Sequence, residues 1–188
     1  MNQSEIIKQM SDQEVKKSLV FSQLFFLVIA IILSIFLFDQ LSDWQVYFKW
    51  QWQEIIYFGL FSGLFIVLID LIMMKVLPKR MFDDGGINER IFTSLSVNEI
   101  VGITMLIAVS EELLFRGVMQ TVFGYIFAST LFALMHIRYL RKPVLLVSVI
   151  FVSFLMGYLF EVTENLLVTI TSHFTIDVLL GLIIHFKK

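Results

Sequence analysis

Ionisable side chains interrupt the apolar segments of this chain, and three of them lie together in the stretch SEELLFRG. Glu112 and Arg116 are four residues apart with the acid first, so their side chains can pair on one face of a helix. Glu111 is rotated by about 100° from Glu112 and cannot share that face. We therefore expect Glu111 to lack a local partner, and an unpaired carboxylate in an apolar setting suits a general base. A pair that only fixes helix packing is the alternative for Glu112 and Arg116.

Two histidines and an aspartate lie downstream in apolar segments. His173 and Asp177, in HFTID, are four residues apart and can share a helix face. A carboxylate beside an imidazole fixes its tautomer and orientation, although such a pair can also serve only helix packing. His136, in FALMH, could by itself be an interfacial histidine. Asp70 is left outside the predicted site, because it can reach the cytoplasmic surface or pair within a helix bundle.

This set of side chains favours the activation of water and the hydrolysis of a carbonyl compound. Serine chemistry is disfavoured because Ser110 lacks the GxSG context, and the absence of cysteine excludes a cysteine nucleophile and thiolate metal sites. HExxH, the usual helical zinc-protease signature, is also missing. We predict a site without a cofactor. Zinc stays open as an alternative, because the set offers enough nitrogen and oxygen ligands, namely Glu111, His136, His173 and Asp177.

The composition is that of a membrane protein. Apolar residues make up 58% of the 188 residues and charged residues 16%, with a mean hydropathy of +0.85. A soluble domain is typically about half apolar and about a quarter charged. No basic patch supports binding to nucleic acid. The chain is therefore predicted to be a single membrane domain, 1–188, with the lipid bilayer as its surroundings.

Six apolar segments are long enough or patterned to form helices, and strands are disfavoured because strands that span a membrane must close into a barrel. The third segment begins with a capping box formed by Ser96 and Glu99. The predicted fold is all-α, with two helices in 1–95 and a four-helix catalytic core in 96–186. The segments are Ser18–Phe38, Ile55–Leu77, 96–122, Ile126–Tyr139, Val144–Phe160 and Asn165–Phe186.

Lysine and arginine predict the orientation in the membrane. The two termini and the connections predicted to lie on the same side as them carry twelve of these residues, whereas the connections on the opposite side carry one, Lys49. By the positive-inside rule, both termini are expected to be cytoplasmic. Arg116 is the remaining basic residue, placed within the membrane. The outer first loop carries aromatic residues typical of an interfacial belt: Trp44, Tyr47, Trp50 and Trp52.

Helix geometry places four of the polar groups at a similar depth. At 1.5 Å per residue from the outer turns near Gly124 and Thr163, they lie about 15 to 21 Å deep. They are Glu111, His136, His173 and Asp177. Random placement would scatter them across the whole bilayer, so their agreement indicates a site on the cytoplasmic side of the midplane.

Three motifs carry a resemblance to a known family. EELLFR, FALMH and HFTID match, in order, the EExxxR, FxxxH and HxxxN/D motifs of the CAAX protease and bacteriocin-processing (CPBP or Abi) membrane proteins. The chain is similar in particular to the Rce1-like type II CAAX prenyl endopeptidases. The resemblance covers about 98–183, and the first two helices match only as hydrophobic spans.

The resemblance implies roles for individual residues. Glu111 is the expected base that activates water, assisted by His136, while His173 and Asp177 orient the substrate carbonyl and stabilise the oxyanion. Glu112 and Arg116 hold the first motif in place, and Phe132 begins the second. Members that process CAAX substrates often have Asn where this chain has Asp177, and an ionised aspartate cannot donate a hydrogen bond to an oxyanion.

The expected function is that of an intramembrane endopeptidase in the cell membrane. Its expected substrates are peptides or membrane-tethered protein tails, in a setting such as CAAX processing or bacteriocin self-immunity. A non-catalytic immunity or scaffold protein is the first alternative, with the polar set kept for packing. A proton-relaying transporter is the second, although the broken, repeated helices common in transporters are not evident.

Overall fold

A computed structural model describes residues 7, 9–139 and 142–187, and those residues contain helices and turns but no strand. The longer helices are α1 (Asp12–Leu37), α2 (Trp52–Val76), α3 (Ile87–Ser94), α4 (Val97–Glu112), α5 (Tyr125–Met135), α6 (Pro143–Thr163) and α7 (Leu166–Phe186). Short 3₁₀ turns occupy Leu41–Tyr47, Lys79–Met81 and Ile137–Tyr139. The all-α prediction is confirmed for the described part of the chain.

Helices occur at all six predicted segments, and four of them, α1, α2, α6 and α7, are long and apolar enough to cross a membrane. Helix α5 has 11 residues, about 16 Å at 1.5 Å per residue, against a hydrocarbon thickness of about 30 Å. Helix α3 was not predicted. Three of the basic residues counted for orientation, Lys8, Arg141 and Lys188, lie outside the described residues.

The helix boundaries follow from local sequence. Ser96 begins α4 with the predicted capping box, in which its side chain accepts from the Glu99 amide while the Glu99 carboxylate accepts from the Ser96 amide. Pro143 occupies the first turn of α6, where a missing N–H is harmless. Gly124 has φ 88° and separates α4 and its continuation from α5, a conformation that glycine adopts without strain.

The helix that carries SEELLFRG changes its winding in the middle of that stretch. Helix α4 ends at Glu112 and continues without a break as a π-helix, Leu113–Gln120, and a last turn, Thr121–Phe123. The sequence predicted the extent of this element but not its π-helical part. Such segments are rare and occur frequently at functional sites. Glu111 and Glu112 thus lie at the junction between the two types of helix.

Helix α4 occupies the centre of the bundle. Helix α7 packs along one side of it and α1 along another, while α5 packs against both the π-helical segment and α6. Helix α2 lies directly on α7, because Gly59 and Gly63 have no side chain. A Cβ at Gly63 would lie 2.8 Å from the Ser172 carbonyl oxygen. Small residues four apart allow this close approach of two helices, and the contact fixes the part of α7 that carries His173.

The outward surface of the bundle is strongly apolar. Phe21 and Phe36 on α1 are 72% and 79% exposed, as expected of side chains that face lipid. The aromatic residues of the first loop divide into two groups. Trp44 and Tyr47 pack against the apolar core, whereas Trp50 and Trp52 are exposed.

Candidate active site

His173 is the centre of the polar cluster. Its Nδ1 lies 2.9 Å from Glu112 Oε1, across 61 residues of sequence. Its Nε2 lies 3.5 Å from Asp177 Oδ2 and 4.0 Å from Glu111 Oε2. Because a carboxylate only accepts, Glu112 holds the tautomer with a proton on Nδ1. The sequence predicted Asp177 as the carboxylate beside His173, and Asp177 lies at the other nitrogen. The bond to Glu112 was not predicted.

Glu111 has a partner that the sequence interpretation missed. Gln23 of α1 donates from Nε2 to Glu111 Oε1 at 3.2 Å, and Ser110 donates from Oγ to Gln23 Oε1 at 2.6 Å. The predicted lack of a local partner concerned the helix of Glu111 itself. Gln23 supplies a partner from another helix, so the carboxylate is not unpaired. Glu111 Oε1 bonds towards α1, whereas Glu112 and Arg116 bond towards α5, α6 and α7. Glu111 Oε2 also lies near α7, 4.0 Å from His173 Nε2.

Glu112 and Arg116 form the predicted ion pair, and it is completely buried. Arg116 Nε lies 3.5 Å from Glu112 Oε2, and neither side chain is exposed. The rest of the guanidinium donates to Ser129 Oγ at 3.1 Å and to the Ser153 carbonyl oxygen at 3.0 Å. Arg116 thus joins α5 and α6 to the carboxylate that orients His173. Desolvation makes such a pair costly unless these additional hydrogen bonds are made.

The ring of Phe132 lies close to Arg116 and to both histidines, His136 and His173. The Arg116 guanidinium lies 5.3 Å from the centre of the Phe132 ring, and the ring centroids of His136 and His173 lie 4.9 Å and 6.1 Å away. His136 Nδ1 is bonded to the Phe132 carbonyl oxygen at 3.0 Å, which requires the proton on Nδ1 and leaves Nε2 as the free nitrogen. The ring of Tyr139 stacks on His136 at 5.7 Å.

The exposed fraction of the side chains increases from Glu112, through Glu111 and His173, to Asp177. The side chain of Glu112 is fully buried, those of Glu111 and His173 are 10% exposed, and that of Asp177 is 28% exposed. The accessible side of the cluster is therefore that of Asp177. The structure brings Glu111, Glu112, His173 and Asp177 together, while His136 contacts the Phe132 ring, which also lies beside His173.

Comparison with known proteins agrees with these motifs. Residues 93–179 match the family model described as type II CAAX prenyl endopeptidase Rce1-like. The chain is also 39% identical over 166 residues to the uncharacterized protein YpbD of Bacillus subtilis (strain 168), an alignment that covers 88% of each chain. The chain belongs to the Rce1-like family. No solved structure gives a significant match.

The part that matches the Rce1-like family contains most of the cluster, but not all of it. The matched residues 93–179 include the three motifs and the serines that surround Arg116. Gln23 lies outside them, on α1. The only signal for Gln23 in the sequence was an amide inside an otherwise apolar run, SLVFSQLFFLVI. Ser129 and Ser153 gave no signal, since small hydroxyl residues are common in membrane helices.

The geometry of the side chains bears on the metal alternative. No group of three or more His, Asp or Glu side chains within residues 7, 9–139 and 142–187 is arranged to hold a metal ion. Two of the four residues considered as ligands, His173 and His136, use Nδ1 for hydrogen bonds to Glu112 and Phe132. Only their Nε2 atoms remain as potential ligands.

Proposed function

We propose that this member of the Rce1-like family is an intramembrane endopeptidase that hydrolyses a peptide bond in a membrane-associated peptide or protein tail. The observation that supports the proposal most strongly is the position of His173, held by buried Glu112 at Nδ1 while Nε2 faces Glu111 and Asp177. Nδ1 of His173 is thus fixed by Glu112, while Nε2 faces the accessible side of the cluster beside the carboxylate of Asp177.

The proposed reaction uses water and forms no covalent intermediate. Glu111 takes a proton from water while the water oxygen adds to the scissile carbonyl carbon. The tetrahedral intermediate collapses with cleavage of the C–N bond, and the proton on Glu111 passes to the leaving amine. His136, with its free Nε2, assists at the water or at the leaving group. The products are a carboxylic acid and an amine, so atoms and charges balance.

His173 and Asp177 are assigned to the carbonyl oxygen. When both nitrogens of His173 are protonated, Nε2–H can donate to the developing oxyanion. Asp177 is 3.5 Å from that nitrogen and orients it, and it donates to the oxyanion itself only when protonated. Glu112, Arg116 and Phe132 are supporting residues that hold His173 and the first motif in position.

The proposed membrane arrangement has six helices that cross or enter the bilayer of the cell membrane, with both termini cytoplasmic. α1 and α2, in 1–95, flank a catalytic core formed by 96–186. The charge asymmetry of the connections and the exposure of Asp177 support a site that opens towards the cytoplasm. CAAX processing and bacteriocin self-immunity are the proposed settings, and no nucleic acid takes part.

The experiment compares the chain with Glu111→Gln in vesicles of phosphatidylcholine and phosphatidylglycerol that carry a library of prenylated and acylated fluorogenic peptides. The substitution preserves the size of the side chain and removes the base. We expect cleavage to fall about 100-fold or more, in the range typical of removing a general base. Asp70→Asn removes a carboxylate from α2, outside the cluster, and should retain full cleavage.

A folded Glu111→Gln variant that cleaves as well as the unaltered chain would refute the catalytic role and favour the immunity or scaffold alternative. The same assay is run with a chelator, and we expect no loss of cleavage. Activity that is lost with the chelator and restored only by zinc would overturn the metal-free mechanism.

A further inference from the structure

Helix α1 contributes one buried side chain that enters the cluster. Gln23 is 5% exposed, although much of α1 faces outwards with large apolar side chains. The other buried polar residue of α1, Ser34, donates only to the Ile31 carbonyl oxygen of its own helix. Gln23 makes no such local bond, and both ends of its amide are used on α4.

The contacts of Gln23 determine the orientation of its amide. Ser110 donates to Oε1 at 2.6 Å, so the amide oxygen faces Ser110 and the NH₂ group faces Glu111 Oε1 at 3.2 Å. Glu111 Oε2 is the oxygen nearer His173 Nε2, at 4.0 Å. The two oxygens of Glu111 are therefore distinguished, since Gln23 holds one and the other is left for the reaction.

We propose that Gln23 is a positioning residue for catalysis, which fixes the carboxylate of Glu111 through a relay that begins at Ser110. The first helix, outside the residues that match the family model, thereby completes the active site. This inference rests on the proposed function, in which Glu111 is the base. A glutamate side chain has several rotamers, and a hydrogen bond to a charged oxygen is strong enough to select one of them. Misplacement by about 1 Å can reduce a rate about 100-fold.

A role limited to packing α1 against α4 is the competing explanation. Gln23→Met distinguishes a packing role from a positioning role, because methionine keeps the length and flexibility of glutamine and packs well in apolar surroundings. Ser110 retains an acceptor after this change, since its Oγ also lies 3.1 Å from the Ile107 carbonyl oxygen. The substitution thus removes the bond to Glu111 without leaving a new buried donor.

The test measures kcat, KM and thermal unfolding of the full chain in the vesicle assay with fluorogenic lipid-anchored peptides. For Gln23→Met we expect kcat to fall about 10- to 100-fold, with KM within about twofold of the unaltered chain. Ser110→Ala should lower kcat by about 3- to 10-fold, and should add nothing in the Gln23→Met background, because Ser110 acts through Gln23. Ser34→Ala, a buried polar change on the same helix, should leave kcat unchanged.

Unchanged kcat in folded Gln23→Met would overturn the inference, as would equal losses in Gln23→Met and Ser34→Ala. If Gln23→Met does not fold, Ser110→Ala decides, and an unchanged kcat for that variant overturns the relay. Failure of the proposed function is seen separately, because Glu111→Gln would then retain cleavage.

Discussion

Arg116→Met tests the ion pair that supports the site, because it removes a buried guanidinium and leaves Glu112 with its charge. The two groups are 3.5 Å apart and neither is exposed. Methionine fills much of the same space. Ser129 and Ser153 keep each other as partners, since the Ser153 hydroxyl donates to the Ser129 carbonyl oxygen at 2.8 Å. Gln120 Oε1 loses a long hydrogen bond of 3.4 Å, so the main cost falls on the charged carboxylate of Glu112.

The expected loss follows from that burial. Removal of one member of a buried pair costs about 3–5 kcal/mol. Glu112 keeps the hydrogen bond from His173 Nδ1, so we expect a value near the lower end, about 3 kcal/mol. Adding Glu112→Gln removes the stranded charge but retains an acceptor for His173. The double variant should recover about 2 kcal/mol of the loss in the free energy of unfolding.

The measurement is equilibrium unfolding in mixed micelles, followed by tryptophan fluorescence. Trp44 packs on Gly117, the residue next to Arg116, so it reports on the π-helical segment. Trp50 and Trp52 are exposed and can be replaced by phenylalanine to remove their contribution. Far-ultraviolet circular dichroism of the same samples shows whether the fluorescence change and the loss of helix coincide.

Lys49→Met is the control, because it removes a cation from the partly exposed pair with Glu164, 3.4 Å apart. Such pairs contribute about 0–1 kcal/mol. The reasoning is refuted if Arg116→Met lowers the free energy of unfolding by less than about 1 kcal/mol. It is refuted equally if Glu112→Gln restores nothing in the Arg116→Met background.

Two further predictions concern α7. Gly63→Ala should lower the free energy of unfolding and the rate of cleavage, because its Cβ would lie 2.8 Å from the Ser172 carbonyl oxygen. Gly102→Ala has no atom within 4 Å of its Cβ and should gain up to about 1 kcal/mol; equal unfolding transitions for the two variants would contradict this. Asp177→Asn should retain cleavage, since an amide can donate to an oxyanion, while Asp177→Ala should lose about 10-fold or more. Cleavage by Asp177→Ala at the unaltered rate would show that this residue does not act on the carbonyl oxygen.

The helices were predictable because their signals are local. Apolar runs of about 20 residues, the capping box at Ser96 and the break at Gly124 identified the elements. Their bounds in the structure differ by a few residues, except that α1 begins at Asp12 rather than at the predicted Ser18. Helix α3 was missed because its eight residues, INERIFTS, contain no long apolar run. The π-helical segment was missed as well. Helices α1, α5 and α7 pack around it, and these contacts are not visible in the sequence.

Pairs within one helix were also available from the sequence, since residues four apart lie on one face. This spacing identified Glu112 with Arg116 and His173 with Asp177. The bond between Glu112 and His173 joins residues 61 apart, and that between Gln23 and Glu111 joins residues 88 apart. No periodicity in the sequence encodes such contacts.

The sequence by itself determined that this is an all-helical chain of membrane-protein composition, and which ionisable groups its apolar segments must bury. The tertiary structure decided which partner each of those groups contacts. It directs Glu112 to both Arg116 and His173, brings Gln23 to Glu111, and leaves Asp177 on the accessible side. The physical reason is that hydrophobic periodicity acts along one helix, whereas the partner of a buried charge is selected by whichever helices pack against it.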